Sequence, residues 1–213
     1  KGELPTWGLR SEGLACLESK EGLLLKNSKG SGMIFLVHDP WRPVPAIGGH
    51  LSPEPGASDR SNIDKRSDVI TFTSHPFTKT LHIEGKPELE IEVCSNNKGF
   101  DLCVALSIIE KDHKKVNQLS TGFLRVLGEQ SNLFSIKKVL FSPLSADFNE
   151  GTCLRISLAG AAWPAIGINP GDNKSSCGAP GAHCLITTIS LNLSKSKLQI
   201  SPLIPDQGFQ EGM

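Results

Sequence analysis

The chain has 213 residues, with 22 Lys+Arg against 22 Asp+Glu, so its formal net charge is zero. That balance offers no basic field for a nucleic acid backbone or an anionic membrane surface. Hydrophobic residues make up 38%, and no run approaches the length of a membrane span. The length suits one large domain able to bury a real core.

Taken in chain order, Lys1-Gly2-Glu3-Leu4-Pro5 lacks the apolar core of a signal peptide, and the chain is expected to begin partway through a longer protein. Strands are expected at 22–26 and 33–38. The apolar run Met33-Ile34-Phe35-Leu36-Val37 then meets Asp39-Pro40-Trp41-Arg42-Pro43-Val44-Pro45-Ala46-Ile47-Gly48-Gly49. Three prolines fix φ and withhold donors, so this stretch is neither helix interior nor central strand. It reads as a stiff crossing ending in a glycine tip.

Strands follow at 69–73 and 80–84. Glu88-Leu89-Glu90-Ile91-Glu92-Val93 alternates strictly, which predicts a half-buried strand. Ser95-Asn96-Asn97-Lys98-Gly99 is a turn by composition, and Leu102, Val104, Leu106 and Ile108 share one face of the next strand. Further strands are expected at 120–127, 134–141, 153–158, 185–193 and 197–203. No segment sustains a 3.6 period, so little helix is predicted. Short strands with turns between them predict an all-β fold, a β-sandwich or jelly roll. One domain over 1–213 is expected, with its core at 15–203 and loose or packed-on termini at 1–14 and 204–213. The long irregular stretches 39–67 and 160–181 are the places to look for function.

Catalytic chemistry is hard to find. No G-x-S-x-G elbow occurs; Ser31-Gly32 and Ser120-Thr121-Gly122 lack its flanking glycine and its strand–turn–helix setting. The six histidines show no H-E-x-x-H spacing and none stands near a C-x-x-C, so no metal site is assigned. Cys177, His183 and Cys184 would need a fourth ligand to hold zinc, and none is evident. No P-loop or dinucleotide fingerprint occurs, and no cofactor is expected. Most of the six cysteines sit in apolar runs, which favours free thiols and a cytoplasmic protein, with Cys177 and Cys184 as the pair to check for a bridge. Lys111, Lys114 and Lys115 read as a solvated hairpin tip, and His82 as a solvent-facing or hydrogen-bonded strand residue. Trp41, Trp163 and Pro164 are loop anchors better suited to packing on protein than to stacking on a ligand.

These motifs resemble, in order, those of one family. The Asp39–Gly49 crossing is similar to the D-P-x-x-P-V-P-x-x-G-G entry to the C-terminal domain of X-Pro dipeptidyl-peptidases and CocE/NonD (cocaine esterase-like) hydrolases. Arg66-Ser67-Asp68-Val69 resembles R-x-D-V, and Leu81-His82-Ile83-Glu84-Gly85 resembles L-x-I/V-x-G. Gly99-Phe100-Asp101-Leu102 stands where the family often has D-T-D-F/L, and Gly122-Phe123-Leu124-Arg125 resembles G-x-I/L-R. Ala161–Gly171 resembles S-x-x-F/W-P-x-x-x-x-N-x-x, and Ser196–Pro202 resembles the closing S-x-L-x-L-P strand. One motif departs: G-H-R-L/I-R appears as Gly151-Thr152-Cys153-Leu154-Arg155.

The resemblance implies a jelly roll similar in fold to galactose-binding domains, non-catalytic by itself. It implies an α/β-hydrolase domain of the same protein as partner, with the tip Gly49, His50 and Leu51 at the edge of that domain's substrate pocket. The resemblance leaves two other readings open: a carbohydrate-binding module, which the scarcity of aromatics disfavours, and a structural domain that forms a homo-oligomer.

Overall fold

The computed structural model describes residues 5–48, 56, 58–112, 114–173 and 178–202. The described residues form eleven strands and one 3-10 turn, Glu129–Asn132. In chain order the strands are β1 (Thr6–Arg10), β2 (Leu23–Lys26), β3 (Met33–His38), β4 (Val69–Ser74), β5 (Leu81–Ser95), β6 (Gly99–Ile109), β7 (Val116–Leu127), β8 (Ser135–Leu140), β9 (Leu144–Phe148), β10 (Cys153–Ala159) and β11 (Thr187–Ser201). Their order across the sheet is β7-β6-β10-β4-β2-β1-β11-β5-β8, with β3 added to β11 and β9 to β5. A bridge between Gly122 and Phe141 brings the two ends together, so the sheet curls into a flattened, nearly closed roll. This is the predicted all-β architecture.

Alternation builds the core. Leu89, Ile91 and Val93 of β5 share one buried cluster with Leu102, Leu106 and Ile156, all at 0% exposure. Ile189, Leu191, Leu193, Leu198 and Ile200 place β11 on the same core.

Three differences from the predicted elements have physical causes. β1 was not predicted, because Trp7, Gly8 and Leu9 are buried on both faces and show no period of two. It lies between β2 and β11, so the core starts at Thr6 and not at residue 15. Gly8 is required there, since a Cβ would lie 2.4 Å from the backbone of Gly30. β9 carries a weak sequence signal: Leu144, Ala146 and Phe148 alternate, but Pro143 and the five-residue length mask it. Finally, the segments predicted at 80–84 and 88–93 are one strand, as are 185–193 and 197–203 up to Ser201. β11 absorbs its register shift between Asn192 and Lys197.

β6 is buried along its whole length. Phe100, Leu102, Val104, Leu106 and Ile108 face the core. On its other face, Asp101 meets Asn169 of the second long irregular stretch, Cys103 and Ala105 lie beneath residues of both stretches, and Ile109 packs with Val116 and Cys153. On that outer face of β7-β6-β10-β4 the Asp101, Arg125 and Asn169 motifs meet.

Candidate functional site

The crossing begins with a local turn. The Asp39 carboxylate accepts the Trp41 N–H at 3.0 Å, and the Asp39 carbonyl accepts Arg42 N–H at 3.1 Å. It is then zipped to the Trp163 loop: Trp163 N–H donates to Val44 at 2.9 Å and Ala46 N–H to Trp163 at 2.7 Å. Arg66 grips Asp68 with Nε and Nη2, at 2.7 and 2.6 Å, and Nη2 also reaches the Arg42 carbonyl at 2.9 Å. Val44 is buried with Ile63, Val69 and Ala159 beneath it. The Gln118 side-chain amide donates to Ile47 at 2.8 Å. Gly48 ends the described crossing with φ of 57°, and a Cβ there would meet the Gly56 carbonyl at 2.6 Å. The predicted tip residues Gly49, His50 and Leu51 lie outside the described residues.

A buried ionic cluster fixes the following stretch. Asp64, 2% exposed at its side chain, sits between Arg60 Nε at 3.3 Å and Arg155 Nη1 at 3.5 Å. It also accepts the Ser157 hydroxyl at 2.9 Å. Arg60 continues to Gln118 Oε1 at 2.8 Å, and Arg155 to Thr73 Oγ1 at 2.9 Å. Burial pulls the Arg60 guanidinium below the ordinary arginine value, and Asp64 opposes that shift. In the motif that departs from the family, Arg155 therefore still has a carboxylate to serve.

A second hub joins three motifs far apart in sequence. Arg125 holds Asp101 bidentately, Nε to Oδ1 at 2.9 Å and Nη2 to Oδ2 at 2.7 Å. Asn169 donates to Asp101 Oδ1 at 2.8 Å and accepts Gly171 N–H at 3.0 Å. Arg125 also donates to the Gly167 carbonyl. Asp101 thereby ties the loop after β10 to β6 and β7. Its hydrogen bonds raise the Arg125 pKa above the ordinary value.

Between the crossing, the Trp163 loop and the β7–β8 seam lies a cleft of about 410 Å³. Small residues on the outward face of the sheet, Cys103, Ala105 and Ala159, leave room for it, while Ile47, Phe123, Leu140 and Ile166 form walls and rim. Burial pushes the Cys103 thiol far up, away from thiolate chemistry.

The predicted anchors divide. Trp163 is half-buried and bonded to the crossing, and Pro164 beside it is exposed. Trp41 is 50% exposed. Cys16, Cys94, Cys103, Cys153 and Cys184 are free thiols, and Cys177 lies outside the described residues. No group of three or more potential metal ligands occurs among the described residues. The Ser120 hydroxyl donates to the Ser142 carbonyl at 2.5 Å. His82 is half-exposed and bonded to Asp147 at 2.7 Å, which raises its pKa. No helix among the described residues is long and apolar enough to cross a membrane.

His38, which nothing in the sequence sets apart from the other histidines, closes the end of β3. It is 4% exposed, and its Nε2 has no hydrogen-bond partner. Desolvation lowers its pKa from 6.5, with Asp101, Asp39 and Asp68 partly opposing. The folded state therefore binds fewer protons here than the unfolded chain. The neutral ring's contribution is complete above pH 6.5 and is lost as pH falls below it. Chemical denaturation between pH 5 and pH 8 is expected to show a smaller loss at acid pH in His38→Phe than in the wild type. Equal slopes in both proteins would refute this.

These features define a class: a jelly-roll domain whose two long loops are locked onto one face around an apolar cleft. The chain belongs to the X-Pro dipeptidyl-peptidase C-terminal non-catalytic domain family, whose model matches residues 3–189. Solved structures share the fold at low identity. An α-amino acid ester hydrolase superposes with a TM-score of 0.74 at 18% identity, over 92% of this chain and 35% of that one. An aminopeptidase from a marine sediment Thaumarchaeota archaeon gives 0.72 at 14% identity, over 92% and 36%. A CocE/NonD family hydrolase from Staphylococcus aureus gives 0.56 at 15% identity, over 92% and 36%. The chain thus spans about a third of the length of these hydrolases. No curated protein matches it.

Proposed function

We propose that this chain is the accessory domain of a serine hydrolase acting on an ester, amide or X-Pro peptide, and that the catalytic α/β-hydrolase domain stands elsewhere in the same polypeptide. Its work is to pack on that domain and to fix one edge of the substrate pocket with the tip Gly49, His50 and Leu51. The observation that carries this reading is the bracing of the crossing at Trp163, Arg66 and Gln118, just before that tip. A segment held at three points loses little further entropy when a substrate or a neighbouring domain meets it. Trp41 and Pro164, exposed beside the crossing, are contacts for the neighbouring domain.

The test is turnover. The 213-residue chain alone is expected to hydrolyse neither aminoacyl-proline nor aryl-ester substrates, whereas the full polypeptide does and changes its substrate preference in Leu51→Arg. Serine-inhibitor-sensitive turnover by the chain alone would overturn the reading.

A further inference from the structure

The described surface carries two separate apolar stripes, and they are not equivalent. On β3 the outward residues Met33, Phe35 and Val37 are 44%, 55% and 48% exposed. Phe134, just before β8, and Ile136 and Leu140 on β8 are 47%, 53% and 51% exposed, with Lys138 between the last two. Apolar stripes of this kind are normally covered by a partner.

Only the β8 stripe is continuous with the cleft. Leu140 lines the cleft and ends the stripe, and Phe123, 39% exposed, stands beside it across the Gly122–Phe141 bridge. The intervening Lys138 is neutralised by Glu88 at 3.1 Å and Glu90 at 2.7 Å, so no unpaired cation interrupts it. The same cleft is bounded by Gly48, the residue next to the tip.

Resting on the function proposed above, we infer that the hydrolase domain of the same polypeptide docks on the cleft and β8, seating an apolar side chain in the cleft, and not on β3. Three observations select this occupant. About two-thirds of each solved hydrolase lies outside the part this chain matches, so a large neighbour is available. The cleft is bounded by Gly48, the last described residue before the proposed tip. And it is a concave site of about 410 Å³ with an apolar rim, the shape of a socket for a protein knob.

Hydrogen exchange of the full-length polypeptide against the 213-residue chain tests it, with kcat/KM of surface variants as the second readout. Slower exchange over 118–123 and 135–140, with 33–38 unchanged, is the expected result. Phe123→Lys with Ile136→Lys is expected to lower kcat/KM at least tenfold, and Phe35→Lys to leave it within twofold. Phe35 and Ile136 are more than half exposed; because the Phe123 ring lies beneath Arg125 at 5.6 Å, the single variant Ile136→Lys, with the melting temperature of each isolated domain measured alongside, keeps the comparison interpretable.

Protection over β3 instead, or activity loss in Phe35→Lys alone, overturns the inference and leaves the proposed function intact. A full-length polypeptide that binds no serine-directed inhibitor overturns the proposed function itself. Concentration-dependent protection of β8 in the isolated chain would assign the surface to a second copy and also overturn the inference.

Discussion

Asp64→Ala is expected to destabilise the domain by about 3–5 kcal/mol, because it leaves two largely buried guanidinium groups without their shared carboxylate. For a chain of this size that corresponds to a fall in Tm of about 10 °C. Arg60 and Arg155 have only 9% and 11% of their side chains exposed, so water can replace little of what Asp64 supplies. Ser157 also loses its acceptor. The loss should be a property of stranded charge and not of the ion pairs as such. Combining Asp64→Leu with Arg60→Met and Arg155→Met is therefore expected to recover most of the stability, as read by urea denaturation. A triple variant no better than Asp64→Ala would show that the cluster contributes by geometry beyond charge compensation.

Asp101→Ala is expected to cost about 3 kcal/mol, since Asp101 is 2% exposed and its Arg125 partner 20%. Its consequence should be more local. Asp101 is the one carboxylate that both Arg125 and Asn169 address, and Asn169 in turn caps Gly171. Without it the Trp163 loop keeps its two backbone bonds to the crossing but loses its tie to β6. Limited proteolysis is expected to nick Asp101→Ala within 160–171 before any other described segment. Asp101→Asn, which can still accept from one donor, is expected to fall between wild type and alanine. A loss of stability without enhanced cleavage there would remove the hub from the account.

Much of this was legible in the residues. Strict alternation in Glu88–Val93, and the shared apolar face of Leu102, Val104, Leu106 and Ile108, placed two strands of the core. The prolines of the crossing announced a stiff segment, and hydrogen bonds to Trp163, Arg66 and Gln118 brace it. What the sequence did not disclose is what the motifs are for. Asp101, Arg125 and Asn169 read as three separate matches, yet they are one hub, since the pairing of β6 with β7 and the return of the loop after β10 join positions up to 68 residues apart. Arg60, Asp64 and Gln118 carried no signal at all. Charged residues in a polar loop look solvated until the fold turns them against a buried sheet face. β1 was invisible for the converse reason, being buried on both sides. The long loops were recognised as places of interest, and their interest lies first in how firmly they are held.

The proposed division of labour, with catalysis outside these 213 residues and pocket-shaping within them, is open to one direct measurement. The full-length polypeptide would be treated with an alkyl fluorophosphonate and the modified serine located by peptide mass spectrometry. The account predicts a single labelled serine beyond residues 1–213, with none in this domain. Label on any serine of this chain, at a rate matching the loss of activity, would contradict it.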